Sequence, residues 1–289
     1  MTRASTLLFG AWFALAALHA SADPAALVEG VQSPAWVEHG GYSAPLAPGM
    51  ALVAGDRVRT GRDSRVLVKL SEGSHVKLGA NASLTITALQ PKHHGVFEAA
   101  MRVLRGAFRF TTDELAKARR RNVSVTFDTV TAGIRGTDLW GSSTPDKQVV
   151  CLIEGKIEVK PGNEAAITMD QPLSFYRREH GKSLPVGKVS AKQLAIWAAE
   201  TEIQKGAGAA MRGGSWKLTL ATVRSQGEAL DLYDALRVAG YPAGIYPGMA
   251  RGKRVYRLRI AQLPSRAEAE ALAGRLRGKL GVTEPKVSK

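Results

Sequence analysis

TAGIRGTDLWG, residues 131–141, decides what the first half of this chain is. Gly133 and Gly136 bracket Ile134-Arg135, with strand-like runs on both sides. A phosphate-cradling loop needs four residues between its glycines, then Gly-Lys-Ser/Thr, and it leads from a strand into a helix. Here two residues separate the glycines, no lysine follows, and the next run is β-like. The spacing therefore predicts a bulge or tight crossing, where missing side chains let backbones approach. Asp138 follows without a carboxylate or histidine partner in a recognisable arrangement, so the stretch reads as architecture and not as catalysis.

Working outward, DRVRTG, SRVLVKLSEGSHVKLG, ASLTITAL, AMRVLRGAFRF and QVVCLIEGKIEVK are short apolar-alternating runs punctuated by Gly, Asn and Asp. Many short strands with almost no helical periodicity predict an all-β domain over residues 23–170, either a sandwich or a solenoid-like stack. Residues 171–215 read as a connector. Within it, Leu194, Trp197, Ala198 and Thr201 recur at helical spacing. GAGAAMRGGS at 206–215 reads as a flexible tether reaching about 15–20 Å, which would leave its neighbours free to move.

Residues 216–289 contain a repeat. WKLTLATVRSQGEALDLYDALR at 216–237 lies over YRLRIAQLPSRAEAEALAGRLR at 256–277, an offset of 40 (256 − 216). Ser225 and Ser265 are each followed three residues later by a glutamate, Glu228 and Glu268, which predicts a capped helix start in each half. Leu232, Leu236, Leu272 and Leu276 form the helical stripes. A short strand is expected after each helix, at 241–247 and 281–287. Two such units predict a βαββαβ, ferredoxin-like α+β domain with both helices on one sheet face. Strand alternation sends Leu218, Leu220, Leu258 and Ile260 to the helices. Lys217, Thr219, Arg257 and Arg259 then point out of the open face, a surface for something extended and anionic.

The formal charge of +15 also favours an anionic partner: nucleic acid, lipid or polysaccharide. The N-terminus narrows that choice. A basic start, the apolar run LLFGAWFALAAL at 7–18 and the A-x-A pattern Ala20-Ser21-Ala22 predict a signal peptide over 1–22, cut between Ala22 and Asp23. The competing reading is a retained membrane anchor. Export removes nucleic acid from consideration and predicts no stable membrane span after cleavage. Cys151 is the single cysteine, in an apolar strand context, and reads as an inert buried thiol.

Other features carry less. KARRR at 117–121 reads as a solvated loop, and His93-His94 lack further ligands for a metal. Asn81 and Asn122 open sequons of a kind common by chance. No catalytic constellation, metal cluster or cofactor motif is present, so the chain is expected to be non-catalytic and without cofactor.

GIRGTDLWG, preceded by VSVTFDTVTA and followed by QVVCLIEGKIEVK, resembles the FecR domain. GDRVRTGRDSRVLVKLSEGSHVKL upstream has that family's punctuation, and the resemblance covers roughly residues 50–162. It implies a periplasmic β-rich domain used for sensing or for recruiting a protein partner. The signalling members add a cytoplasmic segment and a membrane span, neither of which is read here. YRLRIAQLPSRAEAEALAGRLRGKLG resembles the SPOR domain over residues 214–289. That likeness implies binding, across the open sheet face, to peptidoglycan glycan strands stripped of stem peptides. Arg257, Arg259 and Lys217 would pair with lactyl carboxylates, Thr219 would exchange hydrogen bonds, and Tyr246 would stack on a sugar ring. Thr219 replaces the family's usual glutamine, and Ala261-Gln262 its usual Gly-Pro. Two alternatives stay open: a protein partner on the same face, and arginines that serve solubility alone.

Overall fold

The computed structural model describes residues 24–91, 96–112 and 120–289. The signal-peptide reading with its cut between Ala22 and Asp23, the His93-His94 pair, and Lys117–Arg119 of the basic run lie outside the described residues. The chain is mostly β, with three helices among the described residues. No helix among them is long and apolar enough to cross a membrane.

Among the described residues, sixteen strands join in one sheet that runs from Ala26 to Met211. Its frame is three long strands, Phe97–Thr112, Val130–Ser143 and Lys147–Pro161. Each changes neighbours along its length. Phe97–Thr112 pairs with Ser83–Pro91 and, in parallel, with Arg121–Phe127 through its first half. Its second half pairs with Ser74–Leu78 and with the end of Val130–Ser143. The switch falls at Gly106, which has φ +87°, and a Cβ there would lie 2.5 Å from the Ala82 Cα. Only glycine fits both constraints. Alternate residues of these strands fill one core running from Ala26 to Tyr176, with Phe108, Phe110 and Phe127 among its largest buried members.

The TAGIRGTDLWG stretch lies wholly inside Val130–Ser143, and its register against Lys147–Pro161 slips between Arg135 and Asp138. The bulge faces Gly155, at φ +92°. A Cβ on Gly141 would overlap the Phe127 ring. Asp138 is an anchor: Arg109 donates to it through Nε at 3.0 Å and Nη2 at 2.7 Å. That hydrogen bond holds the Arg109 guanidinium above its ordinary pKa. Arg109 Nη1 and Lys77 Nζ also reach Glu202 Oε1, at 3.0 and 2.6 Å, and so tie the connector to the sheet.

The sheet does not end at residue 170. Ser174–Glu179 pairs with Lys147–Pro161, and Lys182–Lys188 pairs with Ser174–Glu179. The connector helix runs Ala191–Ala199, capped by Ser190, whose hydroxyl accepts from Gln193 N at 3.2 Å.

The glycine-rich segment is not the free tether that composition suggests. Ala210 and Met211 pair with Val31 and Gly30 as a strand on the sheet, and Gln32 Oε1 accepts from Gln204 N at 3.1 Å. Glu268 then accepts from three linker amides, those of Gly206 (2.6 Å), Gly208 (2.7 Å) and Ala209 (3.1 Å). Gly208 has φ +79°, and a Cβ on it would sit 2.8 Å from the Leu272 backbone. Glycine here permits close docking; flexibility is only its effect in an unpinned chain.

After the linker the order is β-α-β-β-α-β: Trp216–Val223, helix Gln226–Val238, Gly244–Ala250, Lys253–Leu263, helix Arg266–Leu276 and Lys286–Ser288. All pairings in this four-stranded sheet are antiparallel, with Lys253–Leu263 and Trp216–Val223 central. Leu218, Leu220, Leu258 and Ile260 are buried with Ala229, Leu236, Leu272 and Leu276 in a second core. Ser225 and Ser265 cap their helices by accepting from Glu228 N (3.3 Å) and Glu268 N (3.2 Å). The two outer strands start later than the spacing predicts, at Gly244 and Lys286.

Further contacts lock this unit to the β domain. Arg275 donates to Ala207 O and Ser33 O, both at 2.7 Å. Trp36 Nε1 reaches Val238 O at 3.1 Å, and Arg237 reaches Ser43 O at 3.1 Å. Gln262, at φ +62°, donates to Pro48 O at 3.1 Å, so one of the departures from the SPOR pattern serves the interface.

Removing the Glu268 carboxylate leaves three amides without their acceptor, and bonds to a charged group contribute about 1.5–3 kcal/mol. Glu268→Ala should therefore speed tryptic cleavage after Lys205 by about tenfold or more, because cleavage tracks the open population. Glu228→Ala, at the equivalent position of the first repeat, should leave that rate unchanged.

Candidate functional site

The site is the face of the four-stranded sheet turned away from both helices. Cross-strand register arranges it in rows. One row runs Gly244, Arg259, Thr219, Lys286, and the next runs Tyr246, Arg257, Thr222. With strands about 4.8 Å apart, a full row spans about 14 Å. Lys217, one alternation from Thr219, lies on the same face opposite Ser288.

Arg259 is held from two sides. Its Nε donates to Thr219 Oγ1 at 3.2 Å, and its Cζ stands 5.6 Å from the Tyr246 ring centroid. Gly244 permits the second contact, since a Cβ there would touch the Tyr246 ring at 3.1 Å. Arg257 lies over Gly248 and donates from Nη2 to Met249 O at 3.2 Å. Both guanidiniums are thus oriented by packing and retain further N–H donors. Fixed forks of this kind suit bidentate pairing with carboxylates.

Tyr246 is 45% exposed, Lys217 is exposed, and Thr219, Arg257 and Arg259 are half-buried. The hydrogen bonds to the β domain come from the helix layer, the turn at 238–240 and Gln262, which leaves this face clear. The structure therefore gathers all five sequence-predicted residues, Lys217, Thr219, Tyr246, Arg257 and Arg259, on one surface. Sequence reasoning missed Lys286 and Thr222. The signal for Lys286 was available: with Val287 packed inward, alternation turns Lys286 and Ser288 outward. Thr222 joins the face only because register shifts between Thr219 and Ala221, which no local pattern announces.

The chain carries a FecR domain and a SPOR domain. The family model described as FecR protein matches residues 56–158, and the SPOR domain model matches residues 213–285. The open face lies entirely in the SPOR domain apart from Lys286 and Ser288 at its margin. No curated protein matches the chain. Two crystal structures of a candidate anti-sigma factor from Parabacteroides distasonis ATCC 8503 align at a TM-score of 0.39 and 15% identity, over 76% of this chain and 89% of that one.

Elsewhere in the described residues, no group of three or more His, Cys, Asp or Glu is placed to hold a metal ion. Cys151, in the FecR domain, is fully buried, and burial pushes its thiol up to about 12. A thiol so shielded is almost entirely protonated near neutrality. It should resist labelling by a disulfide reagent at pH 8 in the native protein and react completely in denaturant. Labelling of the native protein at the rate of a free thiol would show that the strand Lys147–Pro161 opens readily.

Proposed function

We propose that this is an exported, non-catalytic envelope protein whose SPOR domain docks on peptidoglycan glycan strands lacking stem peptides. The carrying observation is the pair Arg257 and Arg259, held rigidly on an open face beside an exposed Tyr246. Stripped glycan presents lactyl carboxylates between sugar rings, so it offers anions to the arginines and a flat face to the tyrosine. Lys217 and Lys286 add point charges at the far side, and the Thr219 hydroxyl offers a neutral hydrogen bond. Periplasmic location fits the two domain families and the signal-peptide reading of residues 1–22.

The FecR domain, in this reading, senses or recruits a protein partner. The pinned linker gives the arrangement a mechanical sense. Because Glu268 pins the linker, and Arg275 and Trp36 join the SPOR domain to the large β sheet, docking on the wall also sets the orientation of the β unit that contains the FecR domain. The expected domain limits are 23–170 for the β unit and 216–289 for the wall-binding unit. Residues 171–215, expected as a connector, add the strands Ser174–Glu179, Lys182–Lys188 and Ala210–Met211 to the β unit's sheet and carry the chain to the second unit.

The test is sedimentation of the mature chain with purified sacculi, intact or freed of stem peptides. Stronger binding to the stripped material is expected, with Arg257→Ala/Arg259→Ala weakening it by at least tenfold. Raising salt from 0.15 M to 1 M shortens the screening length from about 8 Å to about 3 Å and should release the protein. Salt-insensitive binding that survives the double substitution, or none to either preparation, would turn the reading toward a protein partner on this face.

A further inference from the structure

A second site lies on the FecR side, independent of the wall-binding face. The register Lys147–Glu179, Val149–Arg177 and Cys151–Phe175 puts these side chains together on one face of the large sheet. The connector helix Ala191–Ala199 covers only one end of that face. There Trp197 stacks on Trp140 at 4.6 Å and meets the Phe175 ring edge-on at 5.9 Å. The helix is too short to reach the other end, and beside it opens a pocket of about 360 Å³. Its walls are Lys147, Arg177 and Lys188 on the strand side, with Ser190, Gln193 and Trp197 on the helix side.

The charges in this pocket do not balance. Glu179 pairs with Lys147 at 3.1 Å and with Arg177 Nη1 at 3.6 Å, one carboxylate against two cations. Lys147 is the main reason that Glu179 ionises below the usual carboxylate range. Lys188 has no acceptor among the described residues. Arg177 Nε is shielded from solvent and has no hydrogen-bond partner. The accessible nitrogens of Arg177 lie toward Glu179, whose single carboxylate is already shared with Lys147. Two uncompensated positive charges thus stand beside an indole wall, in a volume within the range of small-molecule sites.

We infer that this pocket binds a carboxylate carried on a flat apolar body. Arg177 supplies the fork for the carboxylate, Lys188 supplies a point charge, and Trp197 takes the apolar part. The chemistry is shared by a free arylalkyl acid and by the C-terminus of a peptide that ends in an aromatic residue.

The experiment is amide NMR titration of the isotope-labelled mature chain with four probes. These are indole-3-acetate, its neutral amide, and the peptide Gly-Gly-Trp with a free or an amidated C-terminus. Saturable shifts confined to residues 147–149, 175–177 and 188–197, given by the acids and not by the amides, are expected. Arg177→Gln should weaken them at least tenfold. Lys188→Gln, on an exposed edge strand and safe for folding, should weaken them severalfold. Binding by the free acid alone would assign a small-molecule ligand, and binding by the peptide acid alone a partner's chain end; both support the pocket. Equal shifts from acids and amides, no pocket shifts at millimolar probe, or indifference to both substitutions would overturn it. None of these outcomes bears on sacculus binding, so the two sites are tested separately.

Discussion

The arrangement of this protein depends on one carboxylate. Glu268 stands in the first turn of a helix, where the capping pattern places it, and there it accepts from three amides of a segment sixty residues earlier. A chain of glycine and alanine has no side chains with which to hold a shape. Its only strong polar groups are its amides, and a charged acceptor uses them fully. The close approach at Gly208 then lets the linker backbone lie against the helix at Leu272. Once the linker is held there, Ala210 and Met211 can extend the large sheet, and Arg275 and Trp36 close the contact between the two domains.

The internal repeat shows how equal sequences acquire unequal jobs. Both halves start a helix with Ser and Glu three residues apart, and both serines cap as the pattern requires. The second helix faces the linker, so its glutamate becomes a structural acceptor. The strands diverge in the same way. Gln262, in the place of a family proline, takes φ +62° at a register shift within its strand and donates to Pro48 O. Thr219, in the place of a family glutamine, steadies Arg259. The two departures have separate roles, one in domain docking and one in preparing the open face.

On the FecR side, the same economy applies to polar residues that look catalytic in isolation. Asp138 is neutralised by Arg109, and Cys151 is walled in by the Trp140 cluster. Both strengthen the frame. Arg177 and Lys188 stand instead where the connector helix stops short of covering the sheet, with Glu179 shared between Lys147 and Arg177.

What the sequence determined by itself is whatever repeats over a few residues. The two-residue period of strands placed Lys217, Thr219, Arg257 and Arg259 on one face and Leu218, Leu220, Leu258 and Ile260 on the other. The three-residue capping step marked both helix starts, and the missing lysine in TAGIRGTDLWG excluded a phosphate loop. Tertiary structure decided whatever depends on partners far along the chain. It brought Lys286 beside Thr219 and Thr222 beside Arg257, and it made a rigid bridge of a segment that composition describes as loose. The physical reason is that alternation and capping are properties of neighbouring residues, whereas an amide's acceptor can lie anywhere the fold brings one.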